Sequence, residues 1–285
     1  MSRSRKAAFI SLATLILLAA FVFYFANSSH KGVLQISFLN IGQGDAIYIE
    51  APNGVQFIVD GGPANGRLLS ELGAVMPYYD RTIDGIMVTN PDSDHYAGFL
   101  DVLPRYKIGE DFEPGTVSPT PTYALFEKTI SEDGVPRIIA KKGMRITLDK
   151  DDGVYIDVLF PDRDVSTWTT NDGSIVAKLV YGDTSVMLQG DSPQKIEKYL
   201  IAEGNDVHAQ ILKLGHHSSR TATAPEYVAA VSPLYAVASL GKNNRYGFPH
   251  QETIDTLSAA HVPFLRTDLE GRITFISDGK TFVRK

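Results

Sequence analysis

Four short apolar runs in this chain each stop in a polar cluster: Val59-Asp60-Gly61-Gly62, Val88-Thr89-Asn90-Pro91-Asp92-Ser93-Asp94-His95, Leu188-Gln189-Gly190-Asp191 and Leu214-Gly215-His216-His217-Ser218-Ser219. Runs this short, bounded by glycine and polar residues, read as strands rather than helices. Folds that alternate strands and helices gather their sites at strand ends, because loops converge there. Each end alone has a plainer reading: Asp60 before two glycines suits a turn, and the acidic residues before His95 suit a helix N-terminus. Four such ends in one chain point instead to a shared centre of histidines and carboxylates.

The rest of the chain fits that alternation. Residues 34–39, 46–49 and 56–59 read as three antiparallel strands, with Asn53-Gly54 marking a hairpin. Leu68, Leu69, Leu72, Val75 and Met76 recur at helical spacing, and residues 85–89 form a short buried strand. Residues 107–136 look like loops and a short helix. Strands are expected around 145–148, 154–160, 175–181 and 185–188. Beyond them come a helix near 193–201, a strand at 209–214, a helix at 224–231, a strand at 234–239, a helix at 252–260 and terminal strands. The expectation is one large α/β domain over residues 34–285.

Charge and cysteine content narrow the chemistry. A formal net charge of −6 argues against broad wrapping of nucleic acid, which needs many Lys or Arg facing phosphates. The absence of cysteine removes disulfides, thiolate metal sites and cysteine nucleophiles together. Any metal must be held by histidine and carboxylate, a mixed shell that suits Zn²⁺ or Mn²⁺.

At the N-terminus, Arg3, Arg5 and Lys6 precede an apolar run over residues 7–26. About 20 such residues span a bilayer, and a positive flank stays in the cytoplasm. The expected layout is a basic flank over residues 1–6, a transmembrane anchor over 7–26, a linker over 27–33 and an extracytoplasmic domain beyond. A cleaved signal peptide is the alternative, but the run exceeds the usual apolar length and no small-x-small cleavage site closes it.

Phe38-Leu39-Asn40-Ile41-Gly42-Gln43-Gly44-Asp45-Ala46, the Asp60 turn, the Asp94-His95 loop, Gln189-Gly190-Asp191, Gly215-His216-His217-Ser218 and residues 241–249 occur in the order found in a known family. Together they resemble the metallo-β-lactamase-fold domain of ComEC-type DNA-uptake competence proteins. The resemblance implies a four-layer αβ/βα sandwich, here preceded by one transmembrane helix, and a single-pass cell-membrane location with the domain outside. It also implies hydrolysis of phosphodiester bonds in single-stranded DNA. The family domain is attached to a multi-helix channel; one apolar segment is visible here, so no channel role is carried over.

Residue by residue, the likeness makes Asp92, Asp94, His95, Asp191 and His216 the metal ligands, with Asp94, His95 and Asp191 central to catalysis. Asp45, Asp60, Asn90 and His217 are expected behind them, orienting the ligating imidazoles. Asn171, Ser174, Lys213, Asn243 and Tyr246 are expected to face substrate, and Arg220, Lys242 and Arg245 could hold a phosphate. Three positions depart from the family pattern, one of them Asn40 in place of the usual Asp of the first segment. Asn90 stands where the first histidine is usual, so one ion is expected rather than two, and Phe248 stands where a histidine usually precedes proline.

Two readings follow: a metal-dependent phosphodiesterase, or a catalytically degenerate module that binds DNA or a cell-surface partner. A true β-lactamase is the weaker third, since a shared fold says little about substrate.

Overall fold

The alternating apolar runs assemble into two sheets packed face to face. The computed structural model describes residues 3–28 and 32–285. Among them, eight strands form the first sheet in the order Phe282–Arg284, Ile273–Ser277, Leu34–Phe38, Ala46–Glu50, Gln56–Gly61, Gly85–Met87, Asp111–Glu113 and Arg137–Ile139. Seven form the second: Phe264–Arg266, Tyr235–Ala238, Ile211–Lys213, Thr184–Leu188, Val176–Tyr181, Val154–Phe160 and Arg145–Asp149. Each sheet is antiparallel on one side and parallel on the other.

Three apolar cores separate four layers. Leu34, Ile36, Phe38, Val59, Ile156, Leu179, Val186 and Ile211 lie between the sheets. Leu72, Tyr96, Phe99, Phe126 and Ile130 bury helices against the outer face of the first sheet. Leu200, Tyr227, Val228 and Leu257 do the same on the second. Burying one such side chain is worth about 1.5–3 kcal/mol, so each sheet needs both faces covered. The result is the αβ/βα sandwich expected from the sequence.

The second half alternates as its sequence pattern implies, with helices Gln194–Ala202, Pro225–Val231 and Gln251–Ala259 between the parallel strands. Residues 107–136 differ from expectation. The expected helix is there as the twelve-residue Pro121–Glu132, but the stretch also holds Asp111–Glu113, the penultimate strand of the first sheet. The strand carries two buried acids in three residues, so no apolar run announces it.

Residues Arg3–Ser28 form a helix, and Phe9, Leu15, Leu17 and Phe21 on it are exposed. Among the described residues no helix is long and apolar enough to cross a membrane. The bilayer span expected for residues 7–26 therefore stays a proposal. Of the expected linker, residues 29–31 lie outside the described residues.

Candidate metal centre

All four polar clusters lie at the C-terminal ends of parallel strands, where the two sheets open toward one edge. Loop convergence at that edge is the usual location for ligand sites in such sheets. Gly44 and Gly190 let the loops close. A Cβ on Gly44 would lie 2.3 Å from the Asp94 carbonyl oxygen, and the next amide, of Asp45, donates to that same carbonyl at 3.1 Å. Gly190, at φ +50, would place a Cβ 2.6 Å from the Thr89 hydroxyl.

Two histidines are held from behind. The carboxylate of Asp60 accepts from the Thr89 amide at 2.7 Å, the Thr89 hydroxyl at 2.6 Å and His95 Nδ1 at 2.9 Å. A carboxylate only accepts, so the His95 proton sits on Nδ1 and Nε2 faces forward. His217 Nδ1 donates to the Ser239 carbonyl at 3.1 Å and lies 3.2 Å from Asp45 Oδ1. Beneath it, Lys213 Nζ donates to Asp45 Oδ2 at 2.6 Å and to the Leu214 carbonyl at 2.8 Å.

The forward nitrogens meet carboxylates. His95 Nε2 is 3.2 Å from Asp191 Oδ2; His217 Nε2 is 3.2 Å from Asp94 Oδ2 and 3.5 Å from Asp191 Oδ1. His95 Nε2, His217 Nε2 and Asp191 Oδ1 are all buried without a hydrogen-bond partner. Burial opposes charge on both imidazoles, yet Asp191 with Asp60 pushes His95 well above the ordinary range, and Asp191 with Asp45 takes His217 to about 10. Burial would likewise raise Asp191, but the histidines hold it far below the usual carboxylate range. The facing carboxylates thus favour positive charge on both imidazoles, and an ion held between them would take the place of those protons.

Orphaned nitrogens and oxygens aimed at one point, with no sulfur, fit a divalent ion. Ligand atoms of Asp45, His95, Asp191 and His217 lie within 4.8 Å of one another. Asp45 belongs behind the site rather than in it, because Lys213 occupies one of its oxygens and the other faces the Nδ1 side of His217.

Three sequence expectations are placed differently. His217, expected behind the ligands, points Nε2 into the cluster, while His216 stands at the rim with its side chain 25% exposed and Nε2 3.9 Å from Asp191. His216 Nδ1 is paired with the Thr221 hydroxyl at 2.9 Å. Three successive residues, His216, His217 and Ser218, have φ of 46, 51 and 69°, so strand alternation does not continue through them. Lys213 is buried against Asp45 and does not face substrate, because its strand turns the side chain between the sheets.

Asn90, which stands where the family pattern has its first histidine, is held in amide hydrogen bonds. Asn90 Nδ2 donates to Asn171 Oδ1 at 2.8 Å, and Asn90 Oδ1 accepts from the Asp92 amide at 3.0 Å. Asp92 accepts from the Thr170 hydroxyl at 3.0 Å, and the Ser174 hydroxyl donates to the Thr170 carbonyl. Asp92 and Asn90 are therefore engaged with protein groups, and Asp92 takes no part in the His95–His217 cluster among the described contacts. Asn243 and Tyr246 lie exposed on the loop over residues 241–250, and the Phe248 ring of that loop is 6.2 Å from His217 and 5.8 Å from His216.

Sequence reasoning missed Thr89, Ser239 and Glu197. Glu197 accepts from Gln189 Nε2 and from the amides of Thr223 and Ala224, tying the Asp191 loop to the segment after His217. A polar residue inside a helical pattern gave no signal for this.

The two-sheet sandwich resembles the fold of metallo hydrolases. A metallo hydrolase from Ignicoccus hospitalis KIN4/I, Igni18, matches with TM-score 0.57 at 16% identity, covering 85% of this chain and 98% of that one. The relatives in sequence are competence proteins of the ComEC type. The chain is 26% identical to ComE operon protein 3 of Bacillus subtilis (strain 168) over 85% of its own length and 33% of that protein. It is 28% identical to the competence protein ComA of Neisseria gonorrhoeae over 91% of its own length and 35% of that protein. The chain thus spans about a third of the length of these relatives. No family model matches it.

Proposed function

We propose that this chain is a metal-dependent hydrolase of phosphodiester bonds in single-stranded DNA, tethered to the cell membrane by the Arg3–Ser28 helix with its C-terminal domain outside. The carrying observation is the convergence of His95 Nε2, His217 Nε2 and Asp191 Oδ1, all buried and all unpartnered. With Asp94 they make a shell of two nitrogens and two carboxylates for one Zn²⁺ or Mn²⁺ ion. Such an ion, when bound, acts as a Lewis acid and brings a water toward ionisation near neutral pH.

The surrounding residues supply orientation and proton handling. Asp60 and Asp45 fix the two imidazoles so that neither nitrogen must reorganise. Asp94 is the most exposed acid of the shell and faces the opening, where its free oxygen can accept a proton from an attacking water. His216 at the rim is placed to protonate a leaving oxygen through Nε2, a task for which Phe248 has no group. The relatives' names support a role in DNA uptake, and the basic flank before residues 7–26 supports the tether.

A second reading is a degenerate DNA- or partner-binding module, favoured by the hydrogen-bonded Asn90–Asn171 pair where a first ion would sit. The deciding experiment is metal analysis of the purified chain in detergent, with hydrolysis of single-stranded DNA and bis(p-nitrophenyl) phosphate in added Mn²⁺ or Zn²⁺. One ion per chain and turnover abolished by His217→Ala are expected. Absence of metal, or turnover indifferent to His217→Ala, selects the second reading.

A further inference from the structure

The loop over residues 241–250 carries an aromatic stack that leads away from the metal centre. Phe248 touches His217 and His216 on one side, with His250 5.0 Å away at its edge. Tyr246 stacks on Phe248 with centroids 5.4 Å apart and planes inclined by 16°. Tyr246 is 47% exposed, and Arg245 lies against its ring with Cζ 5.0 Å from the centroid and Nη2 donating to the Tyr246 hydroxyl at 2.9 Å.

The stack is built before any ligand arrives. Asn244 bridges the loop, its Oδ1 accepting from the Phe248 amide at 2.9 Å and its Nδ2 donating to the Phe248 and Gly241 carbonyls. The His250 amide donates to the Ser218 carbonyl, and His250 Nδ1 accepts from the Arg220 amide at 3.0 Å. Both bonds clamp the loop to the turn that carries His217. An exposed ring held this firmly, one aromatic layer from the reacting position, contributes nothing to the core.

We infer that Tyr246, backed by Phe248, is a stacking platform for an unpaired nucleobase adjacent to the phosphodiester held at the metal centre. This rests on the hydrolase reading above. Every base has a π-face, so such a platform accepts any sequence but requires the base to be out of a duplex. Arg245 adds a cation beside the ring, where the next phosphate of a strand would pass. The platform selects single strands, a specificity that the metal centre alone does not provide.

The test compares two single-stranded oligonucleotides of equal length, one of thymidylates and one of abasic sugar-phosphates, with the full chain in detergent. Fluorescence anisotropy gives Kd for each, and cleavage is followed separately. The thymidylate strand is expected to bind about 10-fold tighter than the abasic strand, with the ratio falling to about one in Tyr246→Ala and kept in Tyr246→Phe. A ratio near one in the unsubstituted chain, or one unchanged by Tyr246→Ala, overturns the platform. Failure to cleave either strand while the ratio holds overturns the hydrolase reading and leaves the platform standing.

Discussion

Lys213 donates from Nζ to Asp45 Oδ2 at 2.6 Å beneath the His217 imidazole, and both side chains are almost wholly buried. Burial alone would raise the Asp45 carboxyl, but Lys213 and then His217 outweigh it and hold it at about 2. A depressed folded-state value means the stabilisation is present above the ordinary range near 4 and is lost as pH falls toward 2. At neutral pH, Lys213→Met leaves a buried carboxylate without its cation and is expected to cost about 3–5 kcal/mol in urea denaturation. The double change Lys213→Met with Asp45→Asn should recover most of that loss. Equal destabilisation of the single and double variants would show that packing, not the stranded charge, is responsible.

His216 and His217 are adjacent in sequence but differ in what they face, so their alanine variants should separate. His217→Ala removes a buried nitrogen aimed at Asp94 and Asp191 and should abolish metal binding, measured as bound metal per chain. His216→Ala should keep the ion and lower turnover by about 10²-fold, the range for loss of a general acid. Metal loss in His216→Ala with retention in His217→Ala would reverse the assignment.

The contrast between these two histidines marks where the sequence stops being legible. Strands, helices and the four polar strand ends follow from periodicity and glycine placement, and Asp60, Asp94, His95 and Asp191 meet at one edge of the sheets. At His216–Ser218 the backbone leaves both regular periods, so no pattern says which imidazole turns inward. Lys213 departs from the sequence expectation for a related reason. A lysine at a strand end near a site suggests substrate, and only the three-dimensional pairing with Asp45, 168 positions earlier, gives it a buried partner. Asp111–Glu113 hid because two acids in three residues do not resemble a buried strand.

The Asn90–Asn171 pair explains in side-chain terms why one ion is proposed. Each amide oxygen is already engaged in a hydrogen bond, and a neutral amide oxygen is a weaker ligand for a transition ion than an imidazole nitrogen. Replacing both, Asn90→His with Asn171→His, offers two nitrogens beside Asp92 and Asp191. Metal content is expected to rise from about one toward two ions per chain in excess Zn²⁺, as transition ions favour imidazole. A content that stays at one would mean that the loop, not the ligand type, closes the first position.

Asp111 makes a prediction about stability that is independent of the metal centre. It lies in the penultimate strand of the first sheet with both carboxyl oxygens buried and unpartnered, beside Glu113, which takes Arg137 for itself. Burial first, and then the neighbouring Glu113, push Asp111 up to about 9. The folded chain therefore holds a proton that the unfolded chain gives up near pH 4, and stability falls as pH rises through that window. Asp111→Asn keeps a neutral group of the same size, so it should leave stability nearly unchanged at pH 4 and raise it by about 1–3 kcal/mol at pH 8. Urea denaturation of both proteins at the two pH values measures the difference directly. If the unsubstituted chain and Asp111→Asn decline in parallel between pH 4 and pH 8, the buried proton does not reside on Asp111 and must be shared elsewhere in the Glu113, Tyr123 and Arg137 cluster.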